Sequence, residues 1–239
     1  MRSLARDGMD GCVLVRSTKV PDRPSMVLLV LFFPSAAALT AAAAEPLLAA
    51  LAPLGPDGYL SASASQRKGV TECLRALAAV EPAAQCATAL GGDWELLYTD
   101  APDITGLTNS GPLLRLKRIG QSIDDAAGRI ANVIEYTGRE WLPGRAEGDT
   151  LQQRVLLDYT VDEGGRNVRL SLVGLSLLPR QIAGINLAAA PPLTLQGPLS
   201  LPFGDFECVY NDGELRVVRT AQGYWSVNRR CAEGEGWDD

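Results

Sequence analysis

The chain has 239 residues, of which 46% are hydrophobic and 21% are charged. This length and composition suit one folded domain with a targeting segment, and they exclude a chain that is disordered throughout. The sequence contains no histidine, which excludes Ser-His-Asp and Cys-His catalytic systems and histidine-ligated metal sites. The formal net charge of −6 argues against a nucleic-acid partner, because contacts to phosphate groups require a basic surface. We therefore expect no metal, no cofactor and no nucleic acid.

Residues 1–44 have the pattern of a targeting segment. Residues 1–25 are irregular and contain arginines, residues 26–44 contain no charged side chain, and a tract of small residues ends at Ala44. A basic flank, an apolar core and a small-residue exit are typical of a cleavable export signal. A membrane anchor and a two-part plastid address are alternatives that the same pattern leaves open.

Residues 45–90 predict a helical lead to the rest of the chain. Residues 45–54 are rich in Ala and Leu and predict a short helix, whereas residues 66–80 carry apolar side chains at helical spacing. The apolar stripe of this second helix indicates that it packs against a larger element, and Pro82 lies just beyond its end.

From residue 91 to residue 230 the hydrophobic period changes to two, which is typical of β-strands. The clearest predicted strands are residues 93–99, 112–123, 128–137, 153–161, 167–178, 215–220 and 224–229. We expect about seven to nine antiparallel strands, arranged as a sandwich or as a closed barrel, and closure is favoured because it removes exposed strand edges. Within residues 167–178 the alternation shifts by one residue at Gly174, which predicts a β-bulge.

Residues 179–205 are rich in Pro and Gly, apolar and almost uncharged, and they predict an irregular connection. Such an apolar segment is not expected to extend freely into water. It either packs over the end of the barrel or contacts a membrane or lipid as a flap. Residues 231–239 predict a short, frayed, acidic tail. The four cysteines outside the targeting segment form no Cys-x-x-Cys pair and predict free thiols.

The candidate site is an apolar cup inside the barrel. Trp94 lies in the first strand and Arg219 near the end of the chain, and in a small barrel the first and last strands meet. We expect the guanidinium of Arg219 to stack on the indole of Trp94, a cation–π contact worth ~0.5–2 kcal/mol. In the alternative, Trp94 is an ordinary core residue and Arg219 is a surface charge. The predicted inward-facing set is Trp94, Leu96, Tyr98, Leu170, Leu172, Leu215, Val217 and Arg219.

Two separated motifs resemble the plastid lipid-associated proteins, also called plastid fibrillins. Residues 91–100 (GGDWELLYTD) are similar to the opening strand of that family, and residues 210–219 (YNDGELRVVR) are similar to its late strand block. The resemblance covers about residues 45–230 and implies a lipocalin-like barrel capped by a short helical lead. It also implies a chloroplast location, at thylakoids or plastoglobules, and the binding of lipids, carotenoids or prenylquinones.

Two functions fit these observations. The first is non-catalytic carriage of a hydrophobic small molecule inside the barrel, with Tyr98 and Arg219 orienting a polar head. The second is a structural coat on plastid lipid globules, in which residues 179–205 contact lipid and the barrel holds no ligand. Enzymatic action on a lipid or pigment has no support from the sequence, because its carboxylates show no acid–base pairing and its hydroxyls have no activating base. The expected partners are a hydrophobic small molecule or membrane lipid and a lipid-globule or thylakoid surface, and the sequence predicts no oligomeric state.

Overall fold

The structure is a computed structural model, which describes residues 36–55, 58–80, 86–109, 113–144, 146–187 and 189–237. Most of the predicted targeting segment, residues 1–35, lies outside the described residues. Residues 36–44 belong to the first helix, so that the predicted boundary at residue 44 lies within a continuous helix.

Short helices precede the sheet, as predicted. In chain order the helices are α1 (Ala36–Leu51), α2 (Gly58–Ser61), α3 (Ala64–Val80) and α4 (Pro102–Thr105), with 3₁₀ turns at Ala52–Leu54, Cys86–Thr88 and Gly106–Asn109. Helix α3 buries Val70, Leu74 and Leu77, whose spacing of four and three residues places them on one side of the helix. This buried stripe confirms the predicted packing of the helix. Within the described ranges, no helix combines the length and the apolar character needed to cross a membrane.

The sheet is a closed antiparallel barrel. Its strands are β1 (Gly92–Thr99), β2 (Leu114–Asp124), β3 (Arg129–Gly138), β4 (Thr150–Val161), β5 (Asn167–Ile182), β6 (Ile185–Asn186), β7 (Leu193–Asn211), β8 (Leu215–Thr220) and β9 (Trp225–Arg230). Eight of them form a ring in the order β4-β3-β2-β1-β9-β8-β7-β5, which β4 closes by pairing with β5, while β6 adds a two-residue hairpin to β5. The predicted barrel and the predicted pairing of the first strand with the last are confirmed.

Two of the β-bulges in the sheet bear on the predicted site residues. Between Leu172 and Gly174 the register of β5 shifts against β7, so the bulge predicted at this position is confirmed. A second bulge, which the alternation did not predict, lies in β1 between Leu96 and Tyr98. Because an extra residue reverses the alternation of side chains, Trp94 and Leu96 face the barrel interior whereas Tyr98 faces outwards.

Hydrophobic residues form one core inside the barrel and another outside it. The largest buried side chains of the inner core include Trp94, Ile123, Ile130, Leu157, Val168 and Phe206. The outer core joins α1 and α3 to strands β1, β7, β8 and β9, and its strand residues include Tyr98, Leu215, Val217, Trp225 and Val227. Strands β8 and β9 are therefore buried on both faces, one inside the barrel and one under the helices.

The segment 179–205 is a pair of strands and not the irregular connection that we expected. Strand β5 continues to Ile182 and β7 begins at Leu193, and the two strands pair from Asn167 to Leu177 on the β5 side. We call residues 175–195 the distal hairpin. Leu193 and Leu195 are each 72% exposed there, so the interpretation that this segment packs over the end of the barrel is wrong for these side chains.

The C-terminal tail is docked as far as Trp237 and is not frayed over that length. Trp237 is 2% exposed, and the guanidinium carbon of Arg118 lies 4.1 Å from its ring centroid. The indole Nε1 donates a hydrogen bond to the backbone oxygen of Trp94 (3.3 Å). Gly120 makes this contact possible, because a Cβ at that position would overlap both the Trp94 oxygen and the Trp237 ring. The tail thus covers the outer surface of β1 and β2.

Replacing Trp237 by Ala should destabilise the fold, because it removes a buried indole and its cation–π contact. We expect the free energy of unfolding to fall by about 3 kcal/mol in urea denaturation. The matched control is Trp141→Ala, which removes an indole that is 62% exposed and should cost less than about 0.5 kcal/mol. Equal stability of the two variants would contradict a structural role for the tail.

Glu135 forms a buried polar cluster beside this tail. Its carboxylate accepts hydrogen bonds from Gln152 Nε2 (3.0 Å) and pairs with Lys117 (2.6 Å) and Arg118 (3.5 Å). Burial raises the pKa of Glu135, but the hydrogen bonds from Lys117 and Gln152 and the charge of Arg118 outweigh it and hold the pKa below its usual value. The ionised form is therefore favoured in the folded state.

A carboxyl group whose pKa is lowered by folding stabilises the protein above its unfolded pKa, and the contribution is lost as the pH falls through the folded pKa. Glu135→Gln should therefore lower stability most near pH 7, and the difference from the unmodified chain should shrink between about pH 5 and pH 3. Urea denaturation across this range measures the difference. Glu233→Gln, at an exposed position of the tail, should show no such pH-dependent difference. A constant difference for Glu135→Gln would show that its carboxylate is not selectively stabilised by the fold.

Candidate functional site

The site is centred on Trp94, which is fully buried at one end of the barrel interior. Its indole Nε1 donates a hydrogen bond to the backbone oxygen of Leu90 (2.8 Å), which fixes the ring. The guanidinium carbons of Arg216 and Arg230 each lie 4.4 Å from the ring centroid. The indole is thus contacted by two cations, Arg216 from β8 and Arg230 from β9, the strand that pairs with β1.

The prediction that Arg219 stacks on Trp94 is wrong. Arg219 is exposed and stacks on Trp225 instead, at 5.3 Å from the ring centroid. The alternation in β8 correctly assigned its residues to two faces. The face with Leu215, Val217 and Arg219 points outwards, since Val217 and its pairing partner Val227 both pack beneath the helices. The opposite face, which carries Arg216, points into the barrel.

The predicted ligand-binding residues divide into two groups. Those that face the interior are Trp94, Leu96, Leu170 and Leu172. Those that face outwards are Tyr98, Leu215, Val217 and Arg219. Tyr98 therefore lies in the outer core and, like Arg219, cannot orient a ligand inside the barrel. Burial is the main cause that raises its phenol pKa above the usual value. A binding role for the four inward residues stays a prediction.

Arg216 is a fully buried cation that has no carboxylate partner among the described residues. Its Nη2 donates a hydrogen bond to Oε1 of Gln121, whereas Nε and Nη1 have no hydrogen-bond partner within the part of the chain that the structure describes. Burial lowers the pKa of Arg216 to about 10, and the neighbouring charge of Arg230 acts in the same direction. An isolated buried charge costs free energy, so this position is not explained by stability alone.

A short polar strip leads from Arg216 across the interior. Gln121 donates a hydrogen bond through Nε2 to Oδ1 of Asn132 (2.8 Å), and Asn228 pairs with Arg216 across β8 and β9. Gln121 and Asn132 pair across β2 and β3 on the same face as the buried pair Ile123 and Ile130, and they therefore face inwards. Both are nevertheless only partly buried.

Beyond the polar strip the interior becomes apolar again. Leu96 and Ile119 are buried there, with partly buried Leu116 and Ile134 beside them. Side chains from the segments outside the barrel also pack against this cluster, namely Leu60, Ile104 and Leu107. Starting from the end that contains Trp94, the barrel interior thus contains the Trp94–Arg216 contact, then the polar strip and then an apolar zone.

The same inward face continues into the distal hairpin. Ile134 pairs with Gln153, Gln153 pairs with Leu177, and Leu177 pairs with Leu193, so all four lie on one face of the sheet. Leu177 and Leu193 are exposed although they share the face that lines the interior lower down. The apolar lining of the barrel therefore extends past its rim onto an open surface.

Arg216, Arg230 and Gln121 are the site residues that the sequence analysis missed. The available signal was Arg216 itself, a charged residue between Leu215 and Val217 in a strand with an apolar residue on each side. Where helices cover the outer surface of a barrel, the more apolar face of a strand packs against the helices, and its more polar face therefore points into the barrel.

The comparisons with known proteins agree with this architecture. The family model PAP_fibrillin matches residues 42–227. The chain is 28% identical over 211 residues to plastid lipid-associated protein 3, chloroplastic, of Brassica campestris, covering 73% of this chain and 57% of that protein. It is also 28% identical to the probable plastid-lipid-associated protein 3, chloroplastic, of Arabidopsis thaliana, covering 73% of this chain and 55% of that protein.

The chain thus spans about half the length of these two relatives. A shorter match, to the protein translocase subunit SecA 2 of Thermobifida fusca, is 28% identical but covers 33% of this chain and 11% of that protein. No solved structure shows significant similarity to the chain. The chloroplast location implied by the resemblance is supported by both plastid relatives. The family model covers most of the barrel and its helical lead, and the chain belongs to the plastid lipid-associated protein and fibrillin family.

Proposed function

We propose that this protein is a non-catalytic carrier of a hydrophobic small molecule, a lipid, carotenoid or prenylquinone, at chloroplast thylakoids or plastoglobules. The ligand occupies the apolar zone of the barrel interior. The observation that carries this proposal is the partial exposure of inward-facing side chains in the middle of the strands, at Gln121, Asn132, Ile134 and Val155. These side chains lie on the inward face, next to the end of the barrel that opens towards the distal hairpin, so their accessibility supports an interior that a ligand enters from that end. An eight-stranded barrel can hold one small ligand.

Burial of apolar surface supplies the affinity. A ligand that loses about 300 Å² of apolar surface to the interior gains roughly 7 kcal/mol from the hydrophobic effect. The loss of translational and rotational freedom offsets about half of that gain, and the remaining ~3.5 kcal/mol corresponds to a dissociation constant in the millimolar range for this burial alone, which a ligand with a longer apolar chain lowers. Leu96, Ile119 and Ile134 provide the apolar contacts without any reactive group.

Filling the apolar zone with a larger side chain should abolish ligand uptake. Ile134→Phe places a bulky ring in the open part of the interior, whereas Leu48→Phe adds the same ring at an exposed position of α1. The full-length chain is titrated with a soluble short-chain prenylquinone while tryptophan fluorescence is followed. We expect saturable quenching in the unmodified chain and in Leu48→Phe, and no saturable quenching in Ile134→Phe.

The stability of Ile134→Phe provides the control for this experiment. Overpacking a filled core costs about 1–3 kcal/mol, whereas a ring that enters open space costs less. A folded variant that still binds the quinone would place the ligand outside the barrel, and absence of binding by the unmodified chain would contradict the carrier function.

A second function, the structural coat on lipid globules, is favoured by the distal hairpin. Six of its large hydrophobic side chains are exposed, namely Leu175, Leu177, Ile182, Ile185, Leu193 and Leu195, and Leu193 and Leu195 reach 72%. Because the chain is acidic, electrostatic attraction does not bring it to an anionic lipid surface, and insertion of apolar side chains is required. This contact is compatible with carriage, since it uses a different surface.

The double variant Leu193→Ser/Leu195→Ser should lose lipid contact. We expect the unmodified full-length chain to float with neutral phosphatidylcholine vesicles in a density gradient, with little dependence on salt. The double variant should remain in the soluble fraction and should still quench with the prenylquinone. The matched control, Leu48→Ser/Leu113→Ser, removes two leucines that are 45% and 51% exposed elsewhere, and it should still float. Flotation of both double variants alike would contradict a specific role of the hairpin.

A further inference from the structure

We propose that the barrel binds long-chain fatty acids with the carboxylate directed inwards to Arg216 and the acyl chain lying in the apolar zone. This inference rests on the proposed carrier function, and it assigns the chemical class of the ligand and the residue that recognises its head. Neither the family match nor the relatives assign a residue to ligand recognition.

The first argument is the unequal use of the two guanidinium groups at Trp94. Arg230 donates hydrogen bonds to the backbone oxygens of Gly213 and Gly91, so its donors hold the chain segments that close this end of the barrel. Among the residues that the structure describes, Arg216 donates to Gln121 alone, and its buried Nε and Nη1 atoms have no acceptor there. A buried donor without an acceptor costs about 1–3 kcal/mol, and a carboxylate supplies two acceptor oxygens to a guanidinium.

The second argument is the charge of the interior. Arg216 and Arg230 bring two positive charges to one indole ring. The negative charge of Asp125 acts on Arg216, but this carboxylate already accepts hydrogen bonds from the Tyr159 hydroxyl (2.6 Å) and the Gly91 amide (2.9 Å). A ligand with one negative charge compensates the buried cation, whereas a neutral quinone or carotenoid leaves it uncompensated.

The third argument is the order of groups along the interior. Gln121 lies between Arg216 and the accessible part of the barrel, and its amide contacts both Arg216 and Asn132. A carboxylate that displaces the Gln121 amide oxygen reaches Arg216, while the acyl chain passes Leu96, Ile119 and Ile134. The apolar face that continues to Leu177 and Leu193 receives the far end of a long chain.

The test compares oleic acid with its methyl ester, which has the same acyl chain and no charge. Binding to the full-length chain is measured by calorimetry below the concentration at which either compound aggregates. We expect the acid to bind at least about tenfold more tightly than the ester, because only the acid forms a charge-assisted hydrogen bond with Arg216. In Arg216→Met, the acid should bind only as tightly as the ester, and ester binding should be unchanged.

A second variant, Gln121→Glu, tests the assignment independently in case Arg216→Met does not fold. Gln121→Glu places a fixed carboxylate beside Arg216 and should raise the midpoint of thermal unfolding while it removes the preference for the acid. Ile134→Phe should bind neither compound, which separates uptake into the interior from adsorption at the distal hairpin. Persistent preference for the acid in folded Arg216→Met or in Gln121→Glu would overturn the assignment of Arg216.

The outcomes separate this inference from the function on which it rests. Equal binding of acid and ester by the unmodified chain, lost in Ile134→Phe, would overturn the fatty-acid inference and leave the carrier function standing. Binding of a prenylquinone more tightly than the acid would likewise reject the anionic head. If none of these compounds binds, the carrier function fails together with the inference.

Discussion

The contact of Arg216 and Arg230 with Trp94 ties the first strand of this barrel to its last two strands. Trp94 belongs to the first strand, Arg230 is its direct partner in the last strand, and Arg216 belongs to the strand before it. A cation–π contact gains strength when water is excluded, reaching about 2 kcal/mol or more. Burial of the guanidinium groups costs desolvation free energy, but it also strengthens their cation–π contacts with the Trp94 ring. These contacts join strands β1, β8 and β9 at one point.

A barrel interior built only for stability would not carry Arg216. An apolar side chain of similar length would fill the position without an isolated charge or donors that lack acceptors. Arg216 stacks on Trp94, but two of its donors lack acceptors among the described residues, and positions that break the rules of core packing in this way are characteristic of functional sites. The strip of Gln121, Asn132 and Asn228 beside it has the same character, because amide groups inside a barrel specify a polar contact and contribute little to packing.

The sequence predicted the elements of this fold better than the orientation of its faces. Period-two alternation located the strands, and the slip at Gly174 located a bulge, because both are local patterns. The alternation does not tell which face of β8 is internal when helices bury the other face, and this led to Arg219 in place of Arg216. The bulge after Leu96 has no comparable slip in its apolar pattern, and docking of Trp237 depends on Gly120, more than a hundred residues away.

The unequal lengths of the strands connect the two proposed functions. Strands β5 and β7 contain 16 and 19 residues, whereas β8, which pairs with β7, and β9 contain 6 each, so the β5–β7 wall of the barrel rises past the rim while the neighbouring strands end. A sheet face that lines the interior below the rim must become an open surface above it, and its apolar side chains are then exposed. Carriage requires a path between a lipid phase and the interior, and the inward face that runs from Ile134 through Gln153 and Leu177 to Leu193 is the proposed path. In the proposed function, lipid contact at the distal hairpin precedes ligand binding in the barrel, and the shorter neighbouring strands leave the inner face of the hairpin uncovered.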